Sequence, residues 1–489
     1  MARIVLLDGA ATIGGTKLLL EDGEVRLLFD FGCNYATEGT LFRYDPYIKK
    51  YASAFEGRFQ QMRALGLLPD VPVEGEPYFT RLVKTDQQLD ELPEPGVHGL
   101  LLTHAHHDHD GNVPFLSPKI PLFATAESLC FFEQKWVNAH VGKDGYLKNR
   151  YANNEHWRSE RVGHIVLDKG PVTFLEQTRV TPVRVDHSIP GACGFIIDCS
   201  DGRSVALSGD FRLHGTLECR KLSERFVERV RERGVDLLVV EGTNIAEYSS
   251  ELEEGRGGWS VKEYMKTEVA LALERGGMVL VGVSGNNLER IDSLFEIARE
   301  LDARLHLSVY NAGVLERLRQ TGAFSRDHVT RHLVGDNVVV YERYDREFEK
   351  KFPGDLDRPY ARCPIEDYGA GERAAQDRAI MLLYDGDLPL LTKIKPRPGS
   401  KYIRSSWEPF NDEQQPDFER LKAWLERFGL SYHHIHASGH VYGAQLKAAI
   451  REMNPGRVVP MHTEHQELFA DVLPEGRVVM LGQGGSVEV

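Results

Sequence analysis

Residues 103–111 read THAHHDHDG, and four of the chain's 19 histidines fall within six positions there, with Asp108 among them. His104, His106, His109 and Asp108 cannot all be core residues. Each buried imidazole or carboxylate left without a partner costs roughly a few kcal/mol. A metal ion supplies the missing partner for every one. Neutral imidazole is the commonest metal ligand, and zinc takes imidazole nitrogen and carboxylate oxygen at roughly 2.0–2.2 Å. One turn of chain does not easily fold four such side chains onto a single ion. Two ions a few ångström apart suit the spacing better, with His104 and His106 on one and Asp108 and His109 on the other.

Each ion then needs ligands from elsewhere. His187 ends the apolar run TPVRVDH, Asp210 ends SVALSGD, and His462 ends RVVPMH. A lone polar residue at a strand end is more often a cap or turn residue than a ligand. Three of them that a sheet edge could bring to one place weigh differently. Two metals about 3.5–4 Å apart lower the pKa of a bridging water and clamp the attacking and leaving oxygens of a displacement. A carboxylate shared between them would hold that spacing, and Asp210 is the candidate. This is hydrolytic chemistry, suited to phosphate esters, whose transition state spreads charge over several oxygens.

The elements that must position these residues are legible as strands and turns. RIVLLDG, KLLLEDGE and VRLLFDFG read as hairpin strands. Residues 35–95 carry helical pieces and a Pro/Glu-rich passage and read as an insertion, whose Tyr and Phe residues either line a cleft or, the favoured reading, pack as a small helical lid. Strands resume at VHGLLLTH, HIVLD, VTFLE, TRVTPVRVDH, CGFIIDC and SVALSGD. From about residue 220 helices and strands alternate: KLSERFVERVRERG, VDLLVVEG, VKEYMKTEVALALERGG, MVLVGVSG, LERIDSLFEIARELD and ARLHLSVY. That alternation predicts a parallel α/β unit. LPLLTKI and KYIRSS are expected as further strands, followed by the helix DFERLKAWLERFG, the strand YHHIHAS, the helix AQLKAAIREMN and the strand RVVPMHTEH.

A chain of 489 residues fits two large domains or three small ones. No apolar run approaches the roughly 18 residues of a membrane helix, so no membrane partner is expected. The N-terminal apolar run is too short for a signal peptide. Six cysteines lie scattered without a C-x-x-C pair, which fits reduced thiols in a cytoplasmic protein and argues against a cysteine zinc site. The net charge of −14 excludes binding of nucleic acid by bulk electrostatics, so such a role must rest on a local groove or a metal. The stretch 391–404 carries Lys393, Lys395, Arg397, Lys401 and Arg404 with no acid, and is either a solvated loop or a phosphate contact.

The pattern His104-x-His106-x-Asp108-His109, with His187 and Asp210 downstream, resembles the metallo-β-lactamase fold. Asp30 in LLFDFG resembles its first motif, in which the aspartate orients the site instead of binding metal. In the second half, Glu241 in LLVVEGTN, His440 in HASGH and His462 in PMHTEH resemble motifs A, B and C of the β-CASP nucleases. SGDFR, VDHSIPGA and the first histidine of HASGH are most similar to the ribonuclease J group. The resemblance implies an α/β fold, an αββα sandwich with an inserted α/β β-CASP cap. The implied divisions are 1–245 and 431–489 for the metallo-β-lactamase domain and 246–430 for the cap. It implies one zinc on His104, His106, His187 and Asp210, and another on Asp108, His109, His462 and Asp210, with manganese or magnesium as alternatives. Asp108 would also take the proton of the attacking water, His440 would act as general acid or as a transition-state stabiliser, and Glu241 would orient it. His436, Ser438 and Gly439 would contact a substrate phosphate. The implied activity is cleavage of single-stranded RNA, as a 5′→3′ exonuclease with endonuclease activity in addition. The alternatives are single-stranded DNA as substrate, or a non-catalytic RNA-binding subunit, whose mark would be lost ligands. In this light 391–404 becomes an expected substrate contact. Two departures stand out. Gly242 replaces the serine usual after the motif A acid, and the 27 residues after His462 leave no room for the further C-terminal domain of bacterial ribonuclease J. A homodimer would therefore use other surfaces.

Overall fold

A computed structural model describes residues 1–41, 55–79, 86–138, 164–246, 258–320, 337–344, 346–347, 361–370, 374–409 and 415–489. Parts of the 35–95 insertion, 42–54 and 80–85, lie outside the described residues. The chain divides into two compact units. One comprises Met1–Leu213, Leu217–Ser249 and Gly439–Val489, the other His214–Thr216 and Ser250–Ser438.

The first unit holds two sheets. The first contains β1 (Arg3–Asp8), β2 (Lys17–Asp22), β3 (Val25–Phe31), β4 (Gly99–Leu101), β5 (Leu122–Ala124), β6 (His164–Val166) and β20 (Ser486–Glu488), in the order β20-β1-β2-β3-β4-β5-β6. The second contains β7 (Val172–Phe174), β8 (Thr178–Arg184), β9 (Cys193–Asp198), β10 (Ser204–Leu207), β11 (Leu237–Glu241) and β19 (Arg457–Met461), in the order β19-β11-β10-β9-β8-β7. Strand alternation divides the second sheet's side chains between two cores. Val205, Leu207, Leu237, Val239 and Val459 pack with Leu6, Leu20, Phe29 and Leu101 of the first sheet. Ala206, Leu238, Val240 and Val458 face the other way, onto Phe226, Val227 and Val230 of the helix Leu217–Arg233 and Leu446 and Ile450 of the helix Gly443–Met453. β10, β11 and β19 are therefore covered on both faces, which is why they read as continuous apolar runs. Within the insertion, Phe59 of the helix Phe55–Ala64 is buried against Tyr78 and Phe115, with ring centroids 5.8 and 6.5 Å away.

The second unit is built on one all-parallel sheet. Its strands are β12 (Val279–Gly282), β13 (Arg304–Ser308), β14 (Val338–Glu342), β15 (Ala361–Pro364), β16 (Ala379–Leu382), β17 (Lys401–Arg404) and β18 (Ser431–His434), in the order β15-β14-β13-β16-β12-β17-β18. β18 pairs with β17, so the chain returns to the first unit at Gly439, after this strand.

Two expectations are corrected here. LPLLTKI is not a strand but a 3-10 turn, Asp385–Leu390, running into a short helix, Leu391–Ile394. Its buried residues Leu388, Leu391 and Ile394 recur every third position, a helical period that the plain apolar run conceals. The basic stretch 391–404 is largely neutralised inside its own unit. Lys393 pairs with Glu366 at 2.8 Å, Arg397 with Asp377, Lys401 with Glu268 at 2.5 Å, and Arg404 with Asp385 at 2.8 Å. Cations so paired offer little to a phosphate backbone. Among the described residues no helix is long and apolar enough to cross a membrane.

Candidate metal centre

Adjacent strands of the second sheet deliver three of the singled-out side chains to one edge. β10, β11 and β19 run parallel, with Leu207 opposite Val239 and Glu241 opposite Met461. Asp210, Glu241 and His462 therefore lie at or just beyond neighbouring strand ends. His187 follows β8 and His104 follows β4. His107–Asp110 forms one helical turn, and the carbonyl of His106 accepts from the N–H groups of His109 and Asp110, each at 3.0 Å. The turn is seated from below. Thr16 N–H donates to the Asp108 carbonyl at 3.1 Å and Cys33 N–H to the His107 carbonyl at 3.0 Å. Gly32 lies so close that a Cβ there would overlap the Asp108 carbonyl, and one on Gly14 would come within 2.9 Å of the Asp108 side chain.

Three groups of donor atoms result among the described residues. His104, His106 and His187 form the first, and Asp108, His109, Asp210 and His462 the second; the third, Asp210, Glu241, His440 and His462, overlaps the second. In the first, His106 Nδ1 lies 3.0 Å from His104 Nε2 and 3.1 Å from His187 Nε2. In the second, His109 Nε2 lies 3.1 Å from Asp210 Oδ2, and His462 Nε2 lies 3.2 Å from Asp108 Oδ2. Tetrahedral zinc with bonds of 2.0–2.1 Å sets its ligand nitrogens about 3.3 Å apart. The single oxygen Asp210 Oδ2 also lies 3.7 Å from His104 Nε2, 4.0 Å from His187 Nε2 and 3.8 Å from His462 Nε2, so it borders the first two groups.

The outward nitrogens make the stronger test of fit. An imidazole that gives one nitrogen to a metal keeps its proton on the other, and that N–H needs an acceptor. His104 Nδ1 lies 3.0 Å from Thr103 Oγ1, His109 Nδ1 2.8 Å from Asp30 Oδ2, His187 Nδ1 2.6 Å from the Gly439 carbonyl, and His462 Nδ1 2.9 Å from Thr243 Oγ1. Four rings thus present Nε2 inward with an oxygen held at the opposite nitrogen. The donor set, all imidazole and carboxylate, fits a divalent metal of the zinc class. Asp30 is held in turn by the N–H and hydroxyl of Thr103, both at 2.7 Å, and sits at φ +53°. His462 shares that left-handed backbone, φ +53°, and its N–H donates to the Gly9 carbonyl at 2.9 Å. Two of the nine non-glycine residues with positive φ among those described are thus at the site.

Electrostatics separate the groups. Burial, helped by His109 and His187, holds the His104 ring well below the usual histidine range, and burial with His106 does the same for His187. Both are neutral, lone-pair-bearing rings. Burial also opposes charge on His109, but Asp210, Asp30 and Asp108 outweigh it and hold that ring well above its ordinary range. Burial would raise the Asp210 carboxyl, but His109, His462 and His440 keep it well below the usual carboxylate range.

Beside the second group stands His440. Its Nδ1 lies 3.1 Å from Glu241 Oε2 and 3.8 Å from Asp210 Oδ2. Against the effect of burial, Glu241 and then Asp210 push this imidazole up to about 9. Glu241 is itself fixed, its Oε1 accepting from Phe211 N–H at 3.0 Å. The glycine after Glu241 has a packing reason, since a Cβ on Gly242 would come within 2.7 Å of the Phe469 ring.

The remaining singled-out residues fall elsewhere. His436 and Ser438 belong to the second unit, where His436 stacks on His434 at 6.1 Å and the Ser438 carbonyl accepts from His214 Nε2 at 2.9 Å. Gly439 serves through its carbonyl, on His187. The His107 side chain is 43% exposed, and His465 lies 3.1 Å from Glu467. Three residues were not anticipated: Thr103, Thr243 and Arg212. The buried Arg212 side chain forks onto Asp186 at 3.0 and 3.1 Å, bracing the loop that carries His187 against the one that carries Asp210. Adjacency to a motif was the only signal for any of them.

With this geometry in view, comparison with known proteins is direct. Residues 76–276 match the Beta-lactamase superfamily domain. Ribonuclease J of Mycoplasma genitalium is 24% identical over 380 residues, 75% of this chain and 58% of that protein. Ribonuclease J of Mycolicibacterium smegmatis is 22% identical over 427 residues, 83% of this chain and 65% of that protein. The chain thus spans about three-fifths of the length of these relatives. A crystal structure of a protein of unknown function from Enterococcus faecalis V583 superposes with a TM-score of 0.69 at 18% identity, covering 99% of both chains, and shares the fold.

Proposed function

We propose, from the premise that this chain carries a metallo-β-lactamase-fold domain, that it is a metal-dependent ribonuclease acting on single-stranded RNA, with 5′→3′ exonuclease and additional endonuclease activity in the cytoplasm. The observation that carries the reading is the pair of donor groups bordering Asp210 Oδ2, with four imidazoles held through their outward nitrogens. The second unit, inserted between Glu241 and His440, is proposed as the β-CASP cap.

In this reading His104, His106 and His187 with Asp210 would hold one zinc, and Asp108, His109 and His462 with Asp210 the other. Bound zinc supplies charge for the phosphoryl oxygens and an activated water at neutral pH. The chain's own residues do the rest. Asp108, kept in its ionised form by His109 and His462, accepts the proton of the attacking water. His440, protonated through Glu241 and Asp210, donates from Nε2 to the leaving oxygen. Glu241 fixes the ring by holding Nδ1, and Nε2 is the nitrogen assigned to proton transfer. Thr103 and Asp30 keep His104 and His109 aimed. His436 and Ser438 are proposed to contact a substrate phosphate.

A single gel tests the reading. Single-stranded RNA labelled at its 3′ end, carrying a 5′-monophosphate or a 5′-hydroxyl, is incubated with the protein and with Asp108→Ala. A ladder of shortened strands from the monophosphate substrate, absent with Asp108→Ala, is expected. The same few fragments from both substrates would make it an endonuclease and remove the phosphate role of His436 and Ser438. Cleavage of DNA but not RNA would overturn the substrate.

A further inference from the structure

Thr243 stands where the second donor group meets His440. Its hydroxyl oxygen lies 2.9 Å from His462 Nδ1, 3.1 Å from His440 Nδ1 and 3.4 Å from the His462 carbonyl. Its N–H donates to Glu241 Oε2 at 3.2 Å, the same oxygen that faces His440 Nδ1 at 3.1 Å. The two rings lie 5.6 Å apart and 26° from parallel, with this hydroxyl at the Nδ1 edge of both.

Proton accounting defines what the hydroxyl can do. A threonine hydroxyl has two lone pairs and one proton. His462 turns Nε2 toward Asp108 and Asp210, so in a metal-bound state Nδ1 carries the proton and gives it to Thr243. A protonated His440 shares its Nδ1–H between Glu241 Oε2 and Thr243 Oγ1. The hydroxyl proton then has one acceptor left, the His462 carbonyl. Both lone pairs and the proton are satisfied in that single arrangement. Valine has nearly the same shape and can do none of it.

We infer that Thr243 is a positioning residue that ties His440 to the metal ligand His462, so that the second metal and the proton donor are set in place together. The inference rests on the proposed metal-dependent hydrolase but assigns a role to a residue outside that reading.

The test uses the full-length protein loaded with zinc, with Thr243→Val, Thr243→Ala and Thr243→Ser. The first readout needs no substrate: zinc is withdrawn by a chromophoric chelator and counted. Wild type and Thr243→Ser should release two zinc ions with the same affinities. Thr243→Val should hold one of them about 10–100-fold more weakly, the usual effect of losing a partner of a metal ligand. The second readout is RNA cleavage at saturating zinc, where kcat should fall at least about 10-fold for Thr243→Val with KM little changed, and return in Thr243→Ser. Thr243→Ala, which removes the hydroxyl without adding bulk, gives the same reading should the valine variant not fold. Two zinc ions held by Thr243→Val or Thr243→Ala as tightly as by wild type would overturn the inference while leaving the hydrolase standing. A wild type that binds no zinc would overturn both.

Discussion

Glu241 divides its two oxygens between the backbone of Phe211 and the ring of His440, and that division has a measurable sign. The negative charge at Oε2 favours the protonated ring, so His440 can donate a proton at any pH below its raised value of about 9 and loses that capacity above it. Glu241→Gln removes the largest of the influences raising it. The alkaline limb of the kcat–pH profile should move down by about one unit or more, while the acid limb stays. An unmoved alkaline limb would mean that another group donates the proton. At this scale the sequence was most informative for residues that do chemistry directly. His104, His106, Asp108 and His109 were visible as a cluster because polar side chains so dense have few other uses. Thr103 and Thr243 were invisible because a lone threonine beside a motif residue is ordinary. Only the fold shows that its hydroxyl meets the outward nitrogen.

Between elements, the close seating of the turn His107–Asp110 on Gly32 and the brace between Arg212 and Asp186 fix the ligands' backbone. Gly32→Ala has no room beside the Asp108 carbonyl, so the turn must shift. The variant should fold yet bind the second metal at least about 10-fold more weakly, as zinc titration would show. Full-strength binding would mean that the turn tolerates displacement. Arg212→Met leaves the Asp186 carboxylate buried without its fork and should cost about 3–5 kcal/mol in a denaturant titration. The pair Arg212→Met with Asp186→Asn should be less destabilised than Arg212→Met alone, since no unpaired charge remains. An additive or worse double variant would rule out charge burial as the cause. Strands were readable here because those covered on both faces are uniformly apolar, as in β11 and β19. LPLLTKI misled for the same reason, since an apolar run hides its period until burial reveals which residues face in.

For the whole molecule, charge and metal dominate. An acidic chain whose basic stretch is spent on internal pairs has little bulk attraction for a polyanion. Metal binding, which only the folded state offers in full, should stabilise the protein by about 3–4 kcal/mol at a large excess over Kd. Chelation should therefore lower the melting temperature, and added zinc should restore it. A melting temperature indifferent to chelation would deny the ions any place in the fold. The division was implied by the resemblance as 246–430, whereas the compact unit runs from Ser250 to Ser438: β18, which that division gave to the first unit, pairs with β17 of the second and looks like any other strand until its partner is known. That route through the chain has a consequence for biosynthesis. A ribosome delivers Asp108, His187 and Asp210 early, then spends nearly 190 residues on the second unit before His440 and His462 emerge. Until they do, β11 has no β19 beside it and the second donor group lacks a member. In the proposed reading, the nascent protein thus has no complete second donor group until β19 docks beside β11.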